Sequence, residues 1–247
     1  MPSFYETMLT RYADEIKVAT EAPFLEKAGR HELSRETLSE WLAQDRAYAL
    51  QGYPKFIAQM ITALPLSSPS QQSSATSLLS LFSYALSNIH REVTFFDSLG
   101  PRFGLDLSRA PPASDGEGKL QGSRLKPLTK AYVDLLIATG AEAGRSGGGV
   151  EEGLVLLWAM EKIYLTAWLH ASTFAASTTA SKTDEQTSAA LTELIGNWTN
   201  QEFKDFVGRC EEEVEKLQLK EGTDEWDRCE EMFKYTLWLE QRFWPAV

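Results

Sequence analysis

Apolar residues recur every three or four positions along almost the whole chain, and no stretch between turn signals alternates apolar and polar residues with a period of two. Spacing of three to four lines up side chains on one stripe of an α-helix, whereas a half-buried strand needs every second residue apolar. The chain therefore reads as all-α. Helices are expected at roughly 3–20, 34–61, 71–103, 127–143, 149–176, 186–219 and 223–244. Ser34 suits an N-cap, with Thr37 where a complete capping box would have Glu or Gln, and Pro127 suits a first helical turn. RAPPASDGEG at 109–118, GRSGGG at 144–149 and AASTTASKT at 175–183 read as loops. None is long enough for an interdomain linker and no internal repeat is visible, so 1–247 reads as one domain.

With 43% hydrophobic residues the chain has enough apolar side chains for one core. The formal charge of -11 comes from acids spread along the sequence, and no Lys/Arg cluster is placed to track a phosphate backbone, which argues against nucleic acid as a partner. The opening MPSFYETMLTRYADEIK carries charges where a signal peptide needs an apolar stretch. The most apolar segment, GLVLLWAMEKIYLTAWL, is interrupted by Glu161 and Lys162. A cytoplasmic protein with no membrane partner is the expectation. Cys210 and Cys229 form no CxxC motif and no disulfide framework, and read as reduced thiols.

The informative feature is which residues interrupt the apolar stripes. One stripe runs Leu38, Trp41, Leu42, Asp45, Tyr48, Ala49, Gly52 and Phe56; a second runs Leu154, Leu157, Trp158, Glu161, Tyr164, Leu165 and Trp168. A third runs Phe233, Leu237, Glu240 and Trp244, and Glu92 sits among Leu86, Ile89, Phe96 and Leu99. An acid inside a bundle costs several kcal/mol unless it is paired, hydrogen-bonded or protonated. Each could separately reach a buried Arg, Tyr or backbone N–H, or touch water at the edge of its stripe. Four on four helices point instead to a shared polar pocket, and a bundle core is a normal place to build one.

The residue inventory narrows the chemistry. Di-iron carboxylate sites use Glu-x-x-His, and none of His31, His90 and His170 lies three residues after a Glu. Haem needs an inward axial ligand, but His31 sits in the loop-like GRHEL and His90 adjoins Arg91. No nucleophile elbow, Walker loop or zinc motif occurs, so no metal or cofactor is expected. Carboxylates among aromatics remain, an environment that suits a flat, basic heterocycle.

These residues also carry a family resemblance. PFLEKAGRHELSRETLSEWLAQDRAY resembles the early signature of TenA proteins, in which Pro-Phe and a Gly precede a helix bearing Gln-Asp-x-x-Tyr, here Gln44, Asp45 and Tyr48. Glu240, Phe243 and Trp244 in LEQRFW resemble the family's C-terminal Glu-x-x-Phe-Trp. Glu92, Tyr132, Ile195 to Trp198 and Phe203 fall between them in the family's order. The resemblance covers nearly the whole chain and implies a haem-oxygenase-like helical bundle. One departure concerns the Pro-Cys that the better-known branch uses as nucleophile: the aligned positions here are Ala159 or Met160, as in a Cys-less branch where Glu161 is the candidate replacement.

What the resemblance implies is salvage of the pyrimidine half of thiamin, by hydrolysis of an aminomethyl-aminopyrimidine or of its N-formyl form. Asp45, with Glu92, would bind the ring, Asp45 by paired N–H contacts. Tyr48, Tyr132, Tyr164, Phe243 and Trp244 would border it. Glu240 would act as general acid to the leaving nitrogen and Glu161 as base or nucleophile. The family is often multimeric, which implies a homo-oligomer. Two alternatives stay open: a pyrimidine-binding protein without catalysis, and a relative of the cofactorless oxidase branch, whose His and Arg clusters are not found here.

Overall fold

The computed structural model describes residues 2–66, 68–69, 71–108, 125–145, 149–175 and 183–247. The loop expected at 109–118, residues 146–148 of that expected at 144–149 and residues 176–182 of that expected at 175–183 lie outside the described residues. Within them the chain forms α1 (Phe4–Arg11), α2 (Ala13–Thr20), α3 (Pro23–Gly29), α4 (Arg35–Gln51), α5 (Tyr53–Ala63), α6 (Gln72–Phe103), α7 (Pro127–Ala143), α8 (Glu151–Ala175), α9 (Glu185–Thr199), α10 (Gln201–Lys216) and α11 (Asp224–Phe243), and no strand. Ser34 caps α4 by accepting from the Thr37 N–H at 3.1 Å, and Pro127 opens α7.

Three expected helices are each two. The first breaks at Tyr12, which leaves helical geometry so that α1 reaches α10 while α2 packs along α11 and α8; the Tyr12 hydroxyl donates to Glu230 at 2.7 Å. The second breaks at Gly52. Pro54 follows two residues later; it has no N–H for the helix ladder, and α5 departs to pack on α6 and α7. The third breaks at Asn200, whose extended backbone and side-chain oxygen, 2.8 Å from the Phe203 N–H, start α10 afresh. A further helix, α3, lies in a stretch where none was expected, with Pro23 in its first turn.

α8 is the centre of the bundle and touches α2, α3, α7, α9, α10 and α11. From Gly153 to Glu161 every one of its residues is buried, the pattern of a helix enclosed on all sides. α3 crosses it so closely that a Cβ on Gly29 would lie 2.0 Å from the Ala171 carbonyl oxygen. Gly104 ends α6 in the left-handed region (φ 64°), where glycine bears no Cβ penalty. One hydrophobic cluster, including Trp41, Trp158, Trp168 and Trp198, runs through the bundle. Among the described residues no helix is long and apolar enough to cross a membrane.

Candidate active site

The stripes of α4, α6, α8 and α11 converge. Asp45, Glu92, Glu161 and Glu240 line one cavity, together with Tyr48, Tyr53, Tyr132, Tyr164, Phe203 and Phe243. Its empty volume, mouth included, is about 480 Å³. Asp45, Glu161 and Glu240 are buried, whereas Glu92, Tyr48, Tyr164 and Phe243 keep some exposure. No Lys, Arg or His is among the described lining residues.

Each acid is answered by one aromatic donor. The Tyr53 hydroxyl donates to Glu161 at 2.5 Å, and the Tyr132 hydroxyl to Glu240 at 2.5 Å. The Tyr164 hydroxyl donates to Asp45 at 3.0 Å, and the Trp198 indole N–H to Glu92 at 2.5 Å. Glu240 Oε2 is buried without a partner among the described residues. Tyr48 donates to the thioether of Met160 at 3.1 Å, a weak acceptor, and packs its ring 5.0 Å from that of Tyr132.

One neutral donor per carboxyl does not replace the lost hydration of a charge, so burial dominates the titration. Burial pushes Glu161 and Glu240 up to about 8, despite the opposing bonds from Tyr53 and Tyr132. Glu92, less shielded, rises to about 7. Burial, and after it the nearby Glu92, raises Asp45 well above the usual carboxylate range. Burial therefore favours the protonated form of these carboxyls near neutral pH.

Trp244 is a correction. It lies one residue beyond α11, in extended backbone that turns its side chain away from the Glu240 row. There it stacks on Tyr164 with ring centres 5.9 Å apart, and its indole N–H donates to the Ala19 carbonyl at 2.7 Å. It backs the cavity wall without lining it. Tyr53 and Met160 line the cavity and were missed. The signal for Tyr53 was present, because Asp45, Ala49 and Tyr53 step by four, but it crosses the break at Gly52.

Other groups stay apart from this chemistry. Cys210 and Cys229 are buried free thiols, and burial raises both, Cys229 to about 12, so neither is a thiolate at neutral pH. His31 faces Ser188 at 2.6 Å. Among the described residues no three His, Cys, Asp or Glu side chains assemble as a metal cage.

The described residues form an all-α bundle with its acids gathered in the core and matched to aromatic donors, and the solved structures similar to it share the haem-oxygenase-like fold. The chain belongs to the TENA/THI-4/PQQC family, whose profile matches residues 13–247. Among solved structures it is similar to a TenA homologue from Pyrococcus furiosus, 23% identical over 98% of each chain with a TM-score of 0.71. A TenA homologue from P. horikoshii is 18% identical over 98% of this chain and 97% of that one, also with a TM-score of 0.71. A curated relative, described as a probable transcription factor of Fusarium pseudograminearum, is 24% identical over the whole of this chain. The chain spans 52% of that protein's length.

Proposed function

We propose that this protein hydrolyses a thiamin-related aminopyrimidine, an aminomethyl-pyrimidine or its N-formyl amide, without a cysteine nucleophile. The reading is carried by one observation: four carboxyl groups from four helices share an aromatic cavity with no basic side chain among its described lining residues. Such a cavity favours a ligand that brings its own positive charge and a flat π-face. Asp45 accepts from the ring's amino group and from a protonated ring nitrogen, a charge-assisted pair, while Tyr164 holds the carboxylate in place. Tyr48, Tyr132 and Phe243 enclose the ring, and Glu92 adds negative charge at its edge.

Glu161 and Glu240 handle the protons. In hydrolysis of the amine, a water oxygen bonds to the methylene carbon as the carbon–nitrogen bond breaks. One carboxylate takes the water's proton, and the other carboxyl gives its proton to the departing nitrogen, which leaves as ammonia. Glu240, with its free Oε2, is assigned the acid role and Glu161 the base role. Two acids titrating near 8 in one cavity act as a coupled pair, and entry of the ligand's charge lets one ionise while the other keeps its proton.

A second reading has its own support. Met160, one of the two positions aligned with the family's cysteine, presents a thioether that already accepts from Tyr48 and has no proton to lose. That favours a pyrimidine-binding protein without turnover. Incubation with aminomethyl- and formylaminomethyl-pyrimidines, followed by mass spectrometry, separates the two. Hydroxymethyl- or aminomethyl-pyrimidine product supports the hydrolase, bound but intact ligand supports the binding protein, and absence of binding refutes both.

A further inference from the structure

A second chamber adjoins the first. It is lined by Asn88, Arg91, Phe95, Asn197, Trp198, Asn200 and Glu202, and shares Glu92 and Phe203 with the inner cavity, so those two side chains form the partition. Its empty volume, including its opening to solvent, is about 680 Å³. The chemistry of the two spaces differs. The inner walls are carboxyls and aromatic rings, whereas the outer walls are rich in side-chain amides.

The charges of the outer chamber are already matched. Arg91 pairs with Glu202 at 2.7 Å, and Glu202 also accepts from Tyr84 at 2.9 Å. Asn200 is committed twice, as cap of α10 and as donor to the Asn197 carbonyl at 2.8 Å. Asn88 gives its oxygen to Arg91 at 2.9 Å and keeps its amide N–H groups. The Asn197 side chain forms no hydrogen bond among the described residues. What remains on offer is the N–H groups of Asn88 and both ends of Asn197, beside the Glu92 carboxyl. An anionic group would meet Glu92 and Glu202, and a purely apolar one would leave the amides unpaired.

We propose that the outer chamber is a subsite for a neutral, hydrogen-bonding substituent carried on the nitrogen of the ring's aminomethyl arm, recognised by Asn88 and Asn197. The substrate class is then a pyrimidinylmethyl secondary amine whose far end bears an amide or hydroxyl group. The ring and the arm nitrogen occupy the inner cavity, and the substituent passes Glu92 and Phe203. The inference rests on the assignment of the inner cavity to an aminopyrimidine.

Calorimetric titration of the full chain with three ligands tests it: aminomethyl-aminopyrimidine, its N-carbamoylmethyl derivative, and its N-isobutyl derivative. The last two match in shape and differ in the terminal amide; because that amide weakens the amine as a base, the titrations are run at pH 5, where both amines carry their proton. One neutral hydrogen bond is worth about 3- to 10-fold in affinity, so the wild type should prefer the carbamoylmethyl over the isobutyl ligand by about tenfold or more. Asn88→Leu and Asn197→Leu should each erase about 3- to 10-fold of that preference. Both should bind the unsubstituted ligand like wild type, which also verifies that they fold. Equal binding of the two substituted ligands by wild type, or a preference that survives in both variants, overturns the subsite and leaves the inner site standing. If none of the three ligands binds wild type, the inner-cavity assignment fails and the subsite fails with it.

Discussion

Glu161→Gln tests the electrostatics of the cavity without any ligand. Burial raises the Glu161 carboxyl from 4.5 to about 8, so between those values the folded chain holds a proton that the unfolded chain has released. The unfolded state then binds fewer protons than the native state, and stability falls as pH rises. The slope is about 1.4 kcal/mol per pH unit for one such group. This group's contribution is complete below the unfolded value and is lost as pH climbs through the folded one. Gln has nearly the shape of the protonated acid, keeps an oxygen for the Tyr53 hydroxyl, and does not ionise. Relative to wild type the variant should gain about 2–3 kcal/mol between pH 5 and pH 8, somewhat less than the full shift allows because a buried carboxylate draws in water. Urea unfolding followed by far-UV circular dichroism at both pH values, with m-values compared, reads this directly. If the two stabilities run parallel from pH 5 to pH 8, Glu161 is ionised in the folded state and the burial argument is wrong.

Three further outcomes follow from the same geometry. Asp45→Asn removes the charge of the paired acceptor at nearly constant volume, and calorimetry should show affinity for a protonated aminopyrimidine falling about 10- to 100-fold, for a loss of about 1.5–3 kcal/mol. Gly29→Ala sets a methyl group 2.0 Å from the Ala171 carbonyl oxygen, a clash with rigid backbone that forces α3 off α8. Its melting temperature should drop by about 5 °C, corresponding to about 1–3 kcal/mol of overpacking, and an unchanged melting curve would show that the contact relaxes freely. At pH 7, binding of the cationic ligand should release on the order of one proton, since the incoming charge lowers the raised carboxyls. Titrations in buffers of different ionisation enthalpy measure that number, and a value of zero would mean the empty site is already ionised.

The stripes of the sequence made the four acids legible because a helix converts a spacing of three and four into a direction, and that direction held wherever the helix was continuous. Glu161 and Glu240 lie within unbroken runs of α8 and α11, and both face the cavity. Trp244 was misplaced because the helical phase does not extend past Phe243. Tyr53 was missed because the stripe through Asp45 and Ala49 was followed to Gly52 and then to Phe56, where the chain in fact starts a new helix. The breaks at Tyr12, Gly52 and Asn200 share a cause. In each the next helix turns to reach its own neighbour, helped by Pro54 after Gly52 and by the Asn200 cap, and periodicity carries no information about either. α3 was too short to show a period at all.

The pairing of acids with aromatic donors bears on why the cavity suits a cation. A Lys or Arg in place of Tyr53 or Tyr132 would neutralise the carboxylate permanently, hold it ionised, and exclude a positively charged ligand by repulsion. A phenol does neither. It fixes the orientation of one oxygen, adds an apolar ring to the wall, and leaves the carboxyl's charge state open to whatever enters. Glu240 shows the consequence most clearly: Tyr132 holds Oε1 while the buried Oε2 has no partner among the described residues, a cost of about 1–3 kcal/mol unless something answers it. Protonation removes its charge but leaves an O–H that itself needs an acceptor, which a ligand nitrogen would supply. Under the proposed mechanism this is also the oxygen assigned to give its proton to the departing nitrogen, so the group least satisfied without a ligand is the one whose proton the reaction would use.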